Sequence, residues 1–277
     1  MNTKLLFIIV FFAMASVFCH AQERLFVNTY QSVTLPKGEM DIELWNTHRS
    51  GRIYLFHQLD QQLVLDYGLF GKLQTSIGLN VRHTTKGAHR HILQEKSDTT
   101  LNEITRSTKF SISGECKLKF SDPTENAIGS ALNGKIIYSP DELELEGIFI
   151  IDKKTEKNAL ALNLAGVYIK GLHHENGESE IGNEFKSEID LAYMRILFHH
   201  FGLGLEMRNQ NVFVKSEMEQ SVLFGGLSVS YFGHKFFINL NVSPQLANLH
   251  VNDTNHESLD LNHFEKTETR LIVGFNF

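Results

Sequence analysis

RLIVGFNF, residues 270–277, alternates without interruption: Leu271, Val273, Phe275 and Phe277 fall on one side, and Arg270, Ile272, Gly274 and Asn276 on the other. A period of two is the mark of a β-strand with unlike faces. Soluble domains usually end in a frayed polar tail, whereas this chain ends on an aromatic ring within a strand. A last strand held along its full length is expected in a closed barrel, where no strand has a free edge.

The same period runs back through the chain. Phe236, Ile238, Leu240 and Val242 alternate with Phe237, Asn239, Asn241 and Ser243; Leu73, Thr75, Ile77, Leu79 and Val81 alternate with Gln74, Ser76, Gly78, Asn80 and Arg82. About twelve such segments are predicted, at 39–48, 57–68, 72–84, 105–120, 127–139, 141–152, 157–170, 185–198, 200–210, 219–232, 235–247 and 267–277. They are longer than the ~5–6 residues usual in soluble sheets, and match the ~9–11 residues of a tilted membrane-spanning strand. The connections alternate as well. LFGK, SDPTENA, DKKTEK, FHH and FGHK are short, whereas 84–106, 171–184 and 247–266 are long and polar. Loops after the first and ninth strands are intermediate, and SPDE (139–142) is short against the trend. Short turns at one end and long loops at the other are the pattern of outer-membrane barrels, with both termini on the periplasmic side. A secreted lipocalin-like barrel or β-sandwich shares the period, but strand length and loop asymmetry favour the membrane barrel.

The amino end agrees. MNTKLLFIIVFFAMASVFCHAQ has one early cation, Lys4, an apolar run, and a small-x-small site at Cys19-His20-Ala21. Such a segment is a cleavable signal peptide over 1–21, its apolar run being shorter than the ~20 residues of a spanning helix. Residues 22–277 then form one barrel domain. Without Lys4, 25 basic residues face 32 acidic ones, a formal charge of −7, and no basic run suggests nucleic acid. Cys116 remains as a lone cysteine, so no internal disulfide is expected, and it falls on an apolar strand face as a small hydrophobe.

The closing strand resembles the C-terminal assembly signal of outer-membrane β-barrels, which implies the barrel-assembly machinery as a partner through the strand ending at Phe277, with outer-membrane lipid around the barrel. TLPKGEMDIELW (34–45), LVLDYGLFGKLQTSIGLN (63–80), DELELEGIFI (141–150), NALALNLAGVYIK (158–170) and FGLGLEMRN (201–209) resemble transporters of the "MetA-pathway of phenol degradation" family. That resemblance implies a barrel of this size acting as a passive or substrate-selective channel.

With the apolar faces toward lipid, the lumen receives Asp41, Glu43, Asp66, Arg82, Glu115, Lys117, Lys119, Glu142, Glu144, Glu146, Lys186, Glu188, Asp190, Glu206, Arg208, Glu268 and Arg270. These charges suit two readings: cross-strand pairs that brace a filled lumen, or rings that select solutes in a water-filled path. The row Glu142, Glu144 and Glu146 is the candidate cation-favouring stripe. HHENGES (173–179) resembles the His-x-Ser-Asn-Gly stretch of outer-membrane phospholipases. Aligning His173, however, puts Glu175 where the nucleophile belongs, and Ser179 lies too far on. His83, His89, His91, His173, His174, His250, His256 and His263 fall in or beside outer loops without tight ligand spacing. No Gly-rich phosphate cradle precedes a helix, and no cofactor is implied. The expected function is a narrow channel or transporter for a small solute; a non-enzymatic barrel with recognising loops is the alternative, and a lipid hydrolase a distant third.

Overall fold

Each alternating segment is a strand: β1 (Met40–Ser50), β2 (Phe56–Phe70), β3 (Leu73–Lys86), β4 (Thr105–Ser121), β5 (Gly129–Tyr138), β6 (Glu142–Lys154), β7 (Asn158–Gly171), β10 (Glu184–Leu197), β11 (Phe201–Val214), β12 (Glu217–Phe232), β13 (Phe236–Asn248) and β14 (Thr267–Asn276). A two-stranded hairpin, β8 (His174–Glu175) and β9 (Glu178–Ser179), stands apart in the connection between β7 and β10. The computed structural model describes residues 24–87, 104–172, 174–175, 178–179, 183–198, 200–233, 235–250 and 257–277. The signal peptide expected over 1–21 lies outside the described residues, as do His89, His91, His173 and His256.

The twelve long strands pair antiparallel in chain order and close on themselves. The seam joins β1 to β14 from Asp41 opposite Asn276 to Ser50 opposite Thr267. Phe277 completes it: its N–H donates to the Met40 carbonyl at 2.8 Å and its carbonyl accepts from the Met40 N–H at 3.1 Å. The last residue is therefore clamped. Closure satisfies every strand edge, which lets a sheet stand in hydrocarbon.

The two faces separate by chemistry. Leu63, Ile77, Leu79, Leu205 and Leu227 are among the exposed large hydrophobics, and Cys116 shares that outward exposure. An apolar band this extensive is stable only against lipid. Aromatic rings gather at both rims. Phe201, Tyr231 and Phe236 touch in series at the short-turn end, with centroids 5.1 and 5.2 Å apart, and Phe185 meets Phe213 at 5.8 Å at the other end. These are the girdles expected at the two interfaces.

One connection differs from expectation. The intermediate loop predicted after the ninth strand is a two-residue turn, because β11 runs to Val214 and β12 begins at Glu217. Lys215 and Ser216 take φ values of 50° and 70°. A two-residue hairpin turn of this hand needs positive φ at both centres. Lys-Ser carries none of the usual Asn-Gly marks, so the sequence does not announce it.

Candidate functional site in the barrel lumen

Residues 24–38 precede β1 and enter the barrel from the short-turn end. At Gly68 an added Cβ would overlap the Pro36 carbonyl oxygen, so the missing side chain makes room for the incoming backbone. Gly38, at φ +88°, turns the chain into β1 and donates its N–H to the Gly68 carbonyl at 2.8 Å.

From there the segment forms an arch. Its entering limb is tied low, near the turns: Thr34 Oγ1 donates to the Gly71 carbonyl at 3.1 Å, Leu35 N–H to Gln74 at 3.0 Å and Ser32 N–H to Asp152 at 3.3 Å. Its crown reaches mid-height. The Tyr30 backbone makes a reciprocal pair with the Asn163 amide, at 2.6 and 3.0 Å. Three successive amides, Val27, Asn28 and Thr29, then converge on the Glu206 carboxylate at 2.8, 2.7 and 3.1 Å. Ser228 Oγ donates to the same carboxylate at 2.6 Å. Consecutive N–H groups around an anion form a nest; here the anion belongs to the barrel wall and the nest to the arch. The second limb descends again: the Leu25 carbonyl accepts from Ser230 at 2.7 Å and the Arg24 carbonyl from Asn239 at 2.9 Å, both close to the β12–β13 turn.

Apolar packing adds to these bonds. Leu25, Phe26 and Val27 are fully buried against Trp45, Ala159, Ala161, Ala192, Met194, Phe232, Phe237 and Ile272, all inward-facing. Each buried aliphatic or aromatic side chain contributes about 1.5–3 kcal/mol. The short-turn half of the lumen is thus filled along its β7–β13 wall.

On the β1–β5 side a cavity of about 40 Å³ remains, lined by Arg24, Asp41, Glu43, Trp45, Asp66, Glu115, Lys117 and Lys135 together with polar neighbours. Nearer the long-loop end lies a belt of ion pairs. Arg82 bonds Asp60 at 2.7 Å, Asp60 bonds Arg49, and Arg49 bonds Glu268 at 2.7 Å. Glu268 also meets Arg208 at 3.2 Å and Arg270 at 3.5 Å. One carboxylate thereby serves three guanidinium groups from three strands. Beyond the belt a vestibule of about 580 Å³ opens, with Arg49, Arg52, Arg82, Lys186, Glu184 and Glu265 on its walls. Segment 257–266 folds into this mouth. Phe264 sets its ring edge-on to Phe224 with centroids 6.3 Å apart, and Glu265 reaches Arg49 at 3.2 Å.

The charged residues singled out from the sequence therefore divide among several places. Glu206 holds the arch. Arg82, Arg208, Glu268 and Arg270 make the belt. Glu115 and Lys117 line the cavity, with Glu115 3.9 Å from Lys135. Glu142 and Glu144 line a second hollow, of about 60 Å³, shared with Arg82 and Lys109, and Glu146 stands opposite Lys135 in the β5–β6 register, so the acidic row has cations beside it throughout. Glu188 accepts from Gln210 at 2.6 Å, and Asp190 is buried. Lys119 pairs with Asp122 at 3.0 Å, and Lys186 with Glu184 at 3.2 Å. The arch itself, and with it Asn163 and Asp152, was not expected, nor were Arg49 and Asp60 in the belt. Among the described residues no group of three or more His, Cys, Asp or Glu side chains is placed to hold a metal ion. His83 bonds Thr108, and His263 bonds Asp260.

A family model for a family of unknown function, DUF6662, matches residues 18–277. The chain belongs to DUF6662. No curated protein matches the sequence. Among solved structures, the COG4313 outer membrane channel from Pseudomonas putida F1 is similar with a TM-score of 0.60 and 12% identity, covering 91% of this chain and 100% of that one. The NanC porin gives a TM-score of 0.55 at 9% identity, over 84% and 98% of the two chains. The KdgM porin in complex with disordered oligogalacturonate gives 0.52 at 8%, over 86% and 99%. At these identities the likeness is one of fold: this DUF6662 member is built as outer-membrane channels are. The family matched is DUF6662, and the likeness to the phenol-degradation type extends only to the outer-membrane barrel.

Proposed function

We propose that this protein is an outer-membrane channel for a small polar solute, seen here with its short-turn half closed by the arch 24–35. The observation that carries the reading is the lining of the lumen. Among the described residues its buried side chains are more often polar (charged groups, amides and hydroxyls) than apolar, with a vestibule of about 580 Å³ at the long-loop mouth and a polar cavity of about 40 Å³ beside the arch. A barrel that serves only as a scaffold gains nothing from burying so many polar groups, each of which costs free energy unless bonded. The channel fold of the COG4313 protein and of the NanC and KdgM porins supports the same reading, as does the apolar belt for an outer-membrane location.

The alternative is a sealed barrel whose loops recognise a partner, and the bonding of the arch is the feature that favours it. Planar-bilayer recording in KCl separates the two, comparing the barrel with a variant lacking 24–35. Larger or more frequent steps in the variant support a channel closed by the arch. No steps from either protein, both shown to be folded by heat-modifiable migration on gels, overturn the proposal and favour the sealed barrel.

A further inference from the structure

Arg24, on the returning limb of the arch, sits in a recess of the lumen wall. Its guanidinium carbon lies 4.4 Å from the Trp45 ring centroid and 5.4 Å from that of Tyr30, and Nη1 is 3.3 Å from Glu43 Oε2. Trp45 Nε1–H donates to the same carboxylate oxygen at 2.6 Å, which fixes ring and acid relative to each other. A carboxylate at the edge of an aromatic recess is how proteins bind poorly hydrated organic cations.

Two observations show that Arg24 and this recess are incompletely matched. Its Nη2 is buried without a hydrogen-bond partner. Asp41, only 5% exposed and lining the adjoining cavity, makes no side-chain hydrogen bond among the described residues, although it stands directly opposite Asp66 in the β1–β2 register. Facing carboxylates repel, so the pair draws positive charge. Even with Arg24 present, the lining carries four carboxylates against three cations.

We propose that the recess formed by Trp45, Glu43, Asp41 and Asp66 is a binding site for organic cations of the guanidinium or substituted-ammonium class, and that Arg24 occupies it as a tethered surrogate. The proposal deepens the channel reading, on which it rests for the solute's route, by naming the class of solute.

Trp45 is the only tryptophan of the chain, so its fluorescence reports on the site directly. The full barrel, refolded in detergent, is titrated with ethylguanidinium chloride and with its uncharged isostere N-ethylurea, in the wild type, Arg24→Ala, Arg24→Gln and Arg24→Ala/Glu43→Gln. In either single variant ethylguanidinium should change Trp45 emission saturably, at least tenfold lower in concentration than in the wild type, with no saturable response to N-ethylurea. Adding Glu43→Gln should weaken the response tenfold or more. Equal responses to the two compounds, or none to either in single variants that remain heat-modifiable, overturn the site. KCl steps without a Trp45 response reject the site and leave the channel; a Trp45 response without KCl steps keeps the site and rejects the channel.

Discussion

Glu206 Oε2 accepts the backbone N–H of Asn28 at 2.7 Å across 178 residues of sequence. The amides of Val27 and Thr29 join it, so most of the polar hold on the crown of the arch passes through one carboxylate. Bonds to a charged acceptor are the strong ones. Glu206→Gln keeps one acceptor oxygen, loses the charge, and turns an amide N–H₂ toward donors. The arch should loosen by about 2 kcal/mol, roughly thirtyfold in the withdrawn population. More frequent conductance steps, and faster thiol modification of a Val27→Cys reporter, would show it; unchanged rates would place the hold elsewhere.

Phe26 gives a second test. Phe→Ala in a fixed core costs about 3–5 kcal/mol. On the proposal that the arch undocks as a unit, the barrel loses at most the docking energy of the arch. Phe26→Ala should therefore open the lumen while the unfolding midpoint of the barrel in urea changes little. A large fall in that midpoint would mean that arch and barrel unfold as one unit.

Glu268 behaves differently because it is part of the wall. It is almost fully buried and meets Arg49, Arg208 and Arg270. Removing one partner of a buried charge cluster leaves the others uncompensated, at about 3–5 kcal/mol. Glu268→Gln should lower the urea midpoint in lipid vesicles well below that of Phe26→Ala.

How much of this was legible in the sequence follows from distance along the chain. Strand faces are local: the parity of Leu271 and Ile272 is fixed by period two, and the structure keeps it, with Leu271 outward and Ile272 inward. The arch is not local. Residues 24–38 show no period, and their partners Gln74, Asp152, Asn163 and Glu206 lie tens to hundreds of residues away. A signal did exist. On β6 and β7 the inward positions become apolar or small toward the short-turn end, as Glu146 gives way to Ile148 and Ile150 ahead of Asp152, and as Ala159 and Ala161 share a face with Asn163. A lumen whose wall becomes apolar must be filled by something, and the only unassigned apolar run nearby is Leu25-Phe26-Val27.

Acid should act on the β4–β5 turn. Burial raises the Asp122 carboxyl, but the Thr124 hydroxyl and N–H and the Lys119 ammonium outweigh it and hold it at about 2. A carboxyl depressed in the folded state contributes stability that is present above its unfolded value near pH 4 and is lost as the pH falls toward 2. Asp122→Asn should flatten that acid limb of the unfolding curve; an identical limb would rule the turn out as its source.

Cys116 reports on orientation. In a chain beginning at Gln22 it is the single thiol, exposed on the outward face between Thr75 and Gly134. In vesicles it should react with a lipid-soluble maleimide and resist a charged one. Fast labelling by the charged reagent would contradict an outward, lipid-covered β4.

Both limbs of the arch run toward the same rim, Arg24 descending beside Asn239 and Leu35 beside Gln74. If the arch withdraws as proposed, both described limbs pass the short-turn rim and neither crosses the belt of ion pairs. The bonds at the crown and the burial of Leu25, Phe26 and Val27 would oppose that movement together, so a pull from the short-turn side should uncork the barrel in one step once both give way.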